Sequence, residues 1–575
     1  MPPRRGTPRV LAVARGDEPA DLLITGGHVF VPGTREWIDT DLAVADGVIA
    51  GLGPRESLAE VDVAGAALTP GFIDAHMHLE STKLWVDEFV RTVLPHGTTA
   101  VAADPHEIAN VFGVRGVAAL AEAAGDLPFS FGICASSCVP ASPFESPGAE
   151  IGTSEIAELL DEDGPVAAIG IAEVMNFPGV IKGEPEILAK IAAAGHRRVD
   201  GHAPGVSGRE LDAYLSAGVE SDHECTALDE AIEKRRKGMW VFIRQGSASK
   251  NLEALIWTVL RHGTSRVALC TDDREPDTLL RRGHVNDCVR LAMTCGARLE
   301  DALVLATANP ADYHHLDHLG WLAPGYQADV LCFDDLSSLE PARVFQRGRL
   351  VAEEGRLIDG VVGSRPAPAW MTGSVHLDDP PGRDAFEIDP MPAQARVIGV
   401  ESHTLSTRHL VLDVKRAWDD LARIAVVERH RLTGRVGRGL VHGFGLRRGA
   451  IASTVAHDAH NCMVVGSMSG EGPAEMAAAV ARLAELGGGQ VAVLGEKVLA
   501  EVPLPIGGLM SDRPASEVAG RLEALTAAAA KLGVMVDAPF MQLSFLGLSV
   551  LPELRITDLG LVDVASFSLT ELAAD

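Results

Sequence analysis

The feature that most constrains the fold is a succession of eight short apolar runs within about 250 residues. Segments rich in Ala, Leu and Glu, such as residues 151–160 and 184–194, fill most of the intervals. The runs are Phe72–Ile73, Thr98–Ala102, Phe129–Cys134, Val166–Ala172, Val199–His202, Val219–Asp222, Trp240–Ile243 and Val267–Thr271. Alternating strand and helix patterns predict a parallel sheet. Eight repeats favour a closed (β/α)8 TIM barrel over residues 70–318, with its active site at the C-terminal strand ends.

Short β-type runs also occur on both sides of the predicted barrel. They fall within residues 21–69 and 319–361, and we expect these two stretches to pair into one composite small β-sandwich domain. Gly26-Gly27 and Asp46-Gly47 are typical of hairpin turns in the first stretch.

The remaining segments are assigned by composition and periodicity. Residues 1–20 have no periodic pattern and predict a loose N-terminal arm, whereas residues 362–395 are rich in Pro, Gly and Asp and predict a linker. Residues 396–575 mix strand patterns with long amphipathic helices, which indicates a C-terminal α/β domain.

Charge and cysteine content exclude several classes of protein. The net charge of −29 argues against binding a nucleic acid backbone. No run approaches the roughly 18 apolar residues that a membrane helix needs. The eight cysteines include no Cys-x-x-Cys pair, so neither a disulfide framework nor a zinc ribbon is expected. We expect a cytoplasmic enzyme that acts on a small molecule.

Potential metal ligands recur at the ends of the predicted barrel strands. His76 and His78 are two residues apart, which places both imidazoles on the same side of an extended chain. Further strand-end residues are Asp104, His106, Glu107, Glu173, His202, Asp222, His223, Glu224, Asp272 and Asp273. Imidazole and carboxylate donors suit Zn, Mn or Fe, and a set this large suits two ions.

The segment Pro70–His78 resembles the first strand of the amidohydrolase superfamily, metal-dependent hydrolases built on a (β/α)8 barrel. Residues 78–81, 104–110 and 270–273 are similar to bacterial adenine deaminases, and the similarity continues to the C-terminus. The resemblance implies hydrolytic deamination of adenine to hypoxanthine and ammonia, as in purine salvage. We expect two divalent ions per subunit, with Mn²⁺ as the preferred metal and Fe²⁺ or Zn²⁺ as alternatives. We also expect a homo-oligomer, with a homodimer as the preferred form.

The resemblance also implies individual roles for six ligand residues. His76 and His78 match the ligands of the more buried ion, and Glu173 matches the carboxylate that bridges the two ions. His202 and His223 match the ligands of the second ion. Asp272 matches an aspartate that is both a ligand and a proton shuttle.

Deamination of a purine needs more than an activated water. A metal ion lowers the pKa of bound water to about 7, and Asp272 can pass the proton to the leaving amine. A second acid must then serve the ring nitrogen, and Glu107, Glu80 and Glu224 are the candidates. Glu107 is preferred because the segment Asp104–Glu107 directly follows the second strand, although Glu107 could instead support a ligand histidine.

Further candidates for the substrate pocket are Glu80, Asp104, His106, Glu224, Asp273, His457 and His460. In the C-terminal region, His457, Asp458 and His460 either form a third metal set or close the barrel mouth, and the second interpretation is favoured.

Two rival functions remain open. One is another amidohydrolase reaction, such as cyclic amide or imide hydrolysis, which is disfavoured because Glu173 occupies the usual bridging lysine position. The other is a non-catalytic scaffold barrel, against which the complete set of ligand residues argues.

Overall fold

The computed structural model describes residues 6–401, 406–416, 420–536 and 538–574. The chain begins with helix α1 (Pro8–Arg15), whose N-cap Thr7 accepts a hydrogen bond from the Val10 amide. Val10 and Val13 are buried against the first sheet. The expectation of a loose arm over residues 1–20 is therefore wrong for this stretch, since two helical turns are too short to show a clear period. Residues 1–5 of that arm lie outside the described residues.

Five strands precede the barrel. They are β1 (Leu22–Val31), β2 (Glu36–Ala45), β3 (Val48–Leu52), β4 (Glu60–Asp62) and β5 (Ala67–Pro70). Asp46-Gly47 does join β2 to β3 in an antiparallel pair. Gly26-Gly27 is not a hairpin turn, because it lies inside β1 where the register with β2 shifts after Ile24. Glycine residues occur at bulges and other irregularities within strands as well as in turns.

Eight strands then form a closed ring. They are β6 (Phe72–Met77), β7 (Thr98–Ala103), β8 (Ser130–Ile133), β9 (Gly170–Val174), β10 (Arg198–Gly201), β11 (Ser221–Asp222), β12 (Trp240–Arg244) and β13 (Val267–Cys270). Neighbouring strands pair in parallel. The bridge from Ala135 to Ile171 joins β8 to β9, and that from Met77 to Asp272 joins β13 to β6. The Glu220 amide donates to Val199 between β10 and β11.

Each of the eight predicted runs overlaps one of these strands. The fourth barrel strand, β9, begins at Gly170 and not at Val166 as predicted. Ala167 has a φ of 49°, which interrupts an extended chain. The barrel helices are α2 (Val86–Val93), α3 (His106–Phe112), α4 (Val114–Ala124), α5 (Thr153–Leu160), α6 (Phe177–Lys182), α7 (Pro185–Ala193), α8 (Gly208–Ser216), α9 (Leu228–Arg236), α10 (Leu252–Leu255), α11 (Trp257–His262), α12 (Pro276–Arg282), α13 (Val285–Thr294), α14 (Leu299–Ala306) and α15 (Ala308–Tyr313).

After the barrel, the chain returns to the first sheet. The returning strands are β14 (Val330–Phe333), β15 (Arg343–Gln346), β16 (Arg349–Glu353) and β17 (Arg356–Leu357). Val330 of β14 lies opposite Pro70 of β5, so both flanks of the barrel share one nine-stranded sheet. The predicted sandwich form and the domain limits stay predictions.

The C-terminal region is built on an eight-stranded sheet with two long helices against it. Its strands are β18 (Gln394–Val400), β19 (Thr407–Asp413), β20 (Leu421–Val427), β21 (Val436–His442), β22 (Ala450–Ser453), β23 (Cys462–Ser467), β24 (Gly489–Leu494) and β25 (Lys497–Pro503). Its helices are α16 (Gly472–Leu486), α17 (Ala515–Leu532) and α18 (Pro539–Phe545), and a small sheet follows as β26 (Leu554–Thr557), β27 (Gly560–Asp563) and β28 (Ser568–Thr570).

The C-terminal region is bonded directly to the barrel loops. The Ser146 hydroxyl and amide donate to Asp558 at 2.7 and 3.0 Å, and the hydroxyls of Ser142 and Ser549 are 2.7 Å apart. Asn461, at the end of the loop of residues 454–461, donates to the Ser146 carbonyl at 3.0 Å, so this loop is bonded to the same barrel segment. None of the helices in the described ranges has the length and apolar character needed to cross a membrane.

Candidate active site

All six predicted ligand residues converge at the C-terminal face of the barrel. His76 and Glu173 lie within β6 and β9. His78, His202 and His223 directly follow β6, β10 and β11, and Asp272 is the second residue after β13. Each of the six is at most 4% exposed. Strands of a parallel barrel end on one face, so residues far apart in sequence meet there.

Glu173 lies at the centre of the group. Its Oε2 is 2.6 Å from His202 Nδ1 and 3.3 Å from His223 Nε2, and its Oε1 is 3.4 Å from His78 Nε2. Burial raises the pKa of Glu173, but the imidazoles of His202 and His223 more than offset this effect and lower it well below its usual value. Glu173 therefore stays a carboxylate with one oxygen toward each side of the cluster.

His76, His78 and Asp272 form the other side of the cluster. Asp272 Oδ1 is 3.1 Å from His78 Nε2 and 3.7 Å from His76 Nε2. The His76 ring stacks on the His223 ring with centroids 4.1 Å apart, which joins the two sides.

The donor atoms fit divalent metal ions. His76, His78 and Asp272 can offer donor atoms within 4.8 Å of one another, and so can His76, Glu173 and His223. His76 Nε2 and His202 Nε2 are buried without a hydrogen-bond partner among the described residues. Unpaired buried nitrogens are costly, and a cation would satisfy them.

Asp104 and His106, both predicted for the substrate pocket, lie next to His78. The Asp104 carbonyl oxygen lies 2.9 Å from His78 Nδ1, so this nitrogen donates and Nε2 is left as the ligand atom. The Asp104 carboxylate accepts from Ser136 at 3.0 Å and lies 3.3 Å from His106 Nδ1.

The predicted acids Glu107 and Glu80 lie behind the cluster. Ser81 Oγ is 3.0 Å from Glu107 Oε1 and also contacts the Asp273 carboxylate, so it connects the two acids. Burial, together with the Glu107 charge, raises the pKa of Glu80 to about 7. Burial and the neighbouring Asp272 also raise the pKa of Asp273.

A cavity of about 320 Å³ opens next to the cluster. Glu224, Asp273, His106 and His457 are among its lining residues, but Glu80, Glu107, Asp104 and His460 are not. His457 stacks on Phe545 with centroids 4.4 Å apart and planes 7° apart. The C-terminal region therefore forms one wall of the cavity.

Comparison with known proteins covers nearly the whole chain. Residues 67–351 match the amidohydrolase family, and residues 401–568 match the adenine deaminase C-terminal domain. Adenine deaminase 2 of Carboxydothermus hydrogenoformans is 44% identical over 98% of this chain and 99% of its own. The adenine deaminase of Desulfatibacillum aliphaticivorans is 44% identical over 98% and 99%, and that of Methanothrix thermoacetophila is 42% identical over 97% and 98%.

The chain belongs to the adenine deaminase family. The resemblance stated from the strand-end motifs is thereby confirmed, from the barrel to the C-terminal region. The roles of the individual site residues stay predictions in this member of the adenine deaminase family.

Arg244 is a site residue that sequence reasoning missed. It ends β12, and its Nη1 is 2.6 Å from Asp272 Oδ2, while its Nη2 is 2.9 Å from Glu224 Oε2. Burial raises the pKa of Asp272, but Arg244 and His78 more than offset it, so the pKa is well below its usual value. The available signal was an arginine ending a buried strand, where an unpaired charge is rarely tolerated.

Lys234 is a second residue that sequence reasoning missed. This lysine of α9 is fully buried, and its Nζ is 3.0 Å from Asp222 Oδ2. The other Asp222 carboxylate oxygen accepts from the Ala203 amide at 2.7 Å. Ala203 follows His202, and Asp222 precedes His223, so this pair connects the backbone beside two predicted ligands.

Proposed function

We propose that this chain deaminates adenine hydrolytically, giving hypoxanthine and ammonia. The observation that carries the proposal is the convergence of six buried imidazole and carboxylate donors beside a cavity, in a chain 44% identical over nearly its full length to relatives named adenine deaminase.

Two divalent ions fit the six donors. His76, His78 and Asp272 would hold one ion, His202 and His223 the other, and Glu173 would bridge them. When bound, the ions supply the Lewis-acid chemistry that makes hydroxide available at neutral pH. Imidazole and carboxylate donors accommodate Mn²⁺, Fe²⁺ or Zn²⁺, and Mn²⁺ is our first choice.

Asp272 is the proposed proton carrier for the water and the leaving amine. It lines the cavity, and Arg244 holds its Oδ2, which fixes the direction of the carboxylate. A carboxylate with a lowered pKa is ionised at neutral pH and can accept a proton from the attacking water. It then donates that proton to the departing amino group, which leaves as ammonia.

Glu107 is the proposed acid for the ring nitrogen. It does not line the cavity, but Ser81 connects it to Asp273, which does. The Ser81 hydroxyl carries one proton, so its contact with the second carboxyl requires that carboxyl to be protonated. Glu107, Ser81 and Asp273 can thus carry a proton to the cavity wall.

Phe545, Leu548 and Leu551 are apolar residues that line the cavity together with the polar cluster. A lining that combines apolar side chains with carboxylates and imidazoles suits a flat heteroaromatic ring, because the faces of the ring are apolar and its edge is polar. We also expect a homodimer in the cytoplasm.

A substrate panel tests the proposal. The purified chain, loaded in turn with Mn²⁺, Fe²⁺ and Zn²⁺, is incubated with adenine, other aminopurines, cyclic amides and cyclic imides, and the products are separated by chromatography. Conversion of adenine to hypoxanthine as the fastest reaction is the expected result. Faster ring opening of a cyclic amide would replace the proposal with the rival amidohydrolase reaction.

A further inference from the structure

We propose that His106, His457 and Asp458 form a third divalent-cation site, distinct from the pair of ions, at the junction of the barrel and the C-terminal region. The three side chains can offer donor atoms within 4.8 Å of one another, and each is at most 5% exposed. His106 opens α3 of the barrel, whereas the other two belong to the C-terminal loop above it.

The distances between donor atoms match ligands of one ion. Asp458 Oδ1 is 3.6 Å from His106 Nε2 and 3.2 Å from His457 Nδ1. Ligands bound at about 2.0–2.2 Å around one ion lie roughly 3.0–3.6 Å apart. The two nitrogens and one carboxylate oxygen are a donor set that suits Zn²⁺, Mn²⁺ or Fe²⁺.

The hydrogen bonding of His106 leaves one nitrogen free for a cation. Its Nδ1 lies 3.3 Å from the Asp104 carboxylate, so this nitrogen carries the proton. Its Nε2 then presents a lone pair toward Asp458, and neither His106 Nε2 nor Asp458 Oδ2 has a hydrogen-bond partner among the described residues. A carboxylate that orients a histidine for a metal on its other nitrogen is a common arrangement in metal sites.

The neighbouring cluster of Glu107, His457 and His460 fits a cation less well. His460 Nδ1 accepts a hydrogen bond from the Ala456 amide at 3.2 Å, so the proton of a neutral ring lies on Nε2. This Nε2–H faces Glu107 Oε2 at 3.5 Å, which is a donor facing an acceptor. His460 can therefore satisfy Glu107 without a metal ion, whereas a neutral His106 with its proton on Nδ1 presents Nε2 as an acceptor toward the Asp458 carboxylate.

A cation at this place would bind the C-terminal loop to the barrel beside the cavity. The loop is also attached to the barrel through Asn461, whose amide donates to the Ser146 carbonyl at 3.0 Å. The third ion thus gives the C-terminal region a structural function at the cavity wall, and this inference holds whichever substrate the enzyme takes.

The test counts metal ions in the full-length chain. The protein is stripped with a chelator, reloaded with excess Zn²⁺ or Mn²⁺, desalted and measured by elemental mass spectrometry. We expect three ions per wild-type chain and two in Asp458→Asn, because an amide is a poor cation ligand. His457→Gln serves as a second variant, and circular dichroism verifies its fold. Glu475→Gln is the matched control, since Glu475 is a buried acid of the same domain that accepts from the Gly495 amide outside this cluster.

Each outcome has a distinct meaning. A count of two in both the wild type and Asp458→Asn overturns the third site while leaving the predicted binuclear site intact. A count of three in both folded variants overturns the assignment to these residues. A wild-type count below two would instead contradict the proposed deaminase centre. The variant Glu173→Gln should retain the third ion while losing at least one of the other two.

Discussion

Substitution of Lys234 by Met tests how much the buried Lys234–Asp222 ion pair next to the site contributes to stability. The Lys234 ammonium has no exposure to solvent and contacts three oxygens, at 2.6 Å from Ala203, 2.7 Å from Glu230 and 3.0 Å from Asp222. Burial by itself raises the pKa of Asp222, and Lys234 more than offsets this and holds it below its usual value. Methionine has a similar volume but no charge, so the variant leaves a buried carboxylate unpaired.

The expected loss follows from that unpaired charge. Removing one partner of a buried ion pair costs about 3–5 kcal/mol of unfolding free energy, and three short contacts place Lys234 in the upper part of this range. The double variant Asp222→Asn/Lys234→Met should recover much of the loss, because it removes the unpaired charge and keeps an oxygen for the Ala203 amide.

Urea unfolding followed by circular dichroism measures these differences in the metal-free proteins. The control is Lys237→Met at the end of the same helix, where the lysine is 25% exposed and pairs with Asp212 at 2.8 Å. Solvent screens exposed pairs, which contribute little to stability, so the control should stay close to the wild type. Equal losses in both lysine variants, or a double variant no more stable than Lys234→Met, would refute the reasoning.

Three further predictions concern the site and its pH dependence. Glu173→Gln should lose one ion and nearly all turnover, because a neutral amide is a poor bridge between cations. Elemental analysis measures the metal content and a rate assay measures the turnover. Wild-type metal content together with a wild-type rate would contradict the prediction. Glu107→Gln should keep both ions and lower kcat by roughly 10²–10⁴ with a smaller change in KM. If Glu107→Gln instead loses metal and Glu80→Gln lowers kcat without losing metal, then Glu80 is the acid for the ring nitrogen and Glu107 supports metal binding. The lowered pKa of Asp222 gives stability that is present above its unfolded value of about 3.9 and is lost as the pH falls through the folded value. The loss of unfolding free energy from pH 5 to pH 3 should therefore be larger in the wild type than in the Asp222→Asn/Lys234→Met double variant.

The strand order of the barrel could be predicted because its signal is local. Each buried strand is a short apolar run, and the ligand residues directly follow those runs, so His202 and His223 could be placed at the catalytic face without any coordinates. The bounds of α17 also follow from the sequence, since Pro514 precedes it and Gly533 ends it.

What could not be predicted depends on contacts between distant segments. The sequence does not indicate that Arg244 pairs with both Glu224 and Asp272. It also does not distinguish Lys234, which pairs with Asp222, from an ordinary charged residue of a helix. The position of His106 against Asp458 requires two domains to meet, and no periodic pattern encodes that meeting. The position of Gly26-Gly27 inside β1 could not be predicted for the same reason, because it depends on the pairing with β2.

The most direct test of the central claim is turnover of adenine in water enriched with ¹⁸O. The metal-loaded wild-type chain should release one ammonia for each hypoxanthine, and each hypoxanthine should carry one ¹⁸O at the ring carbon that lost the amino group. Chelation and Glu173→Gln should both abolish this product. A folded chain that holds its metal ions but forms no labelled hypoxanthine from adenine would contradict the account.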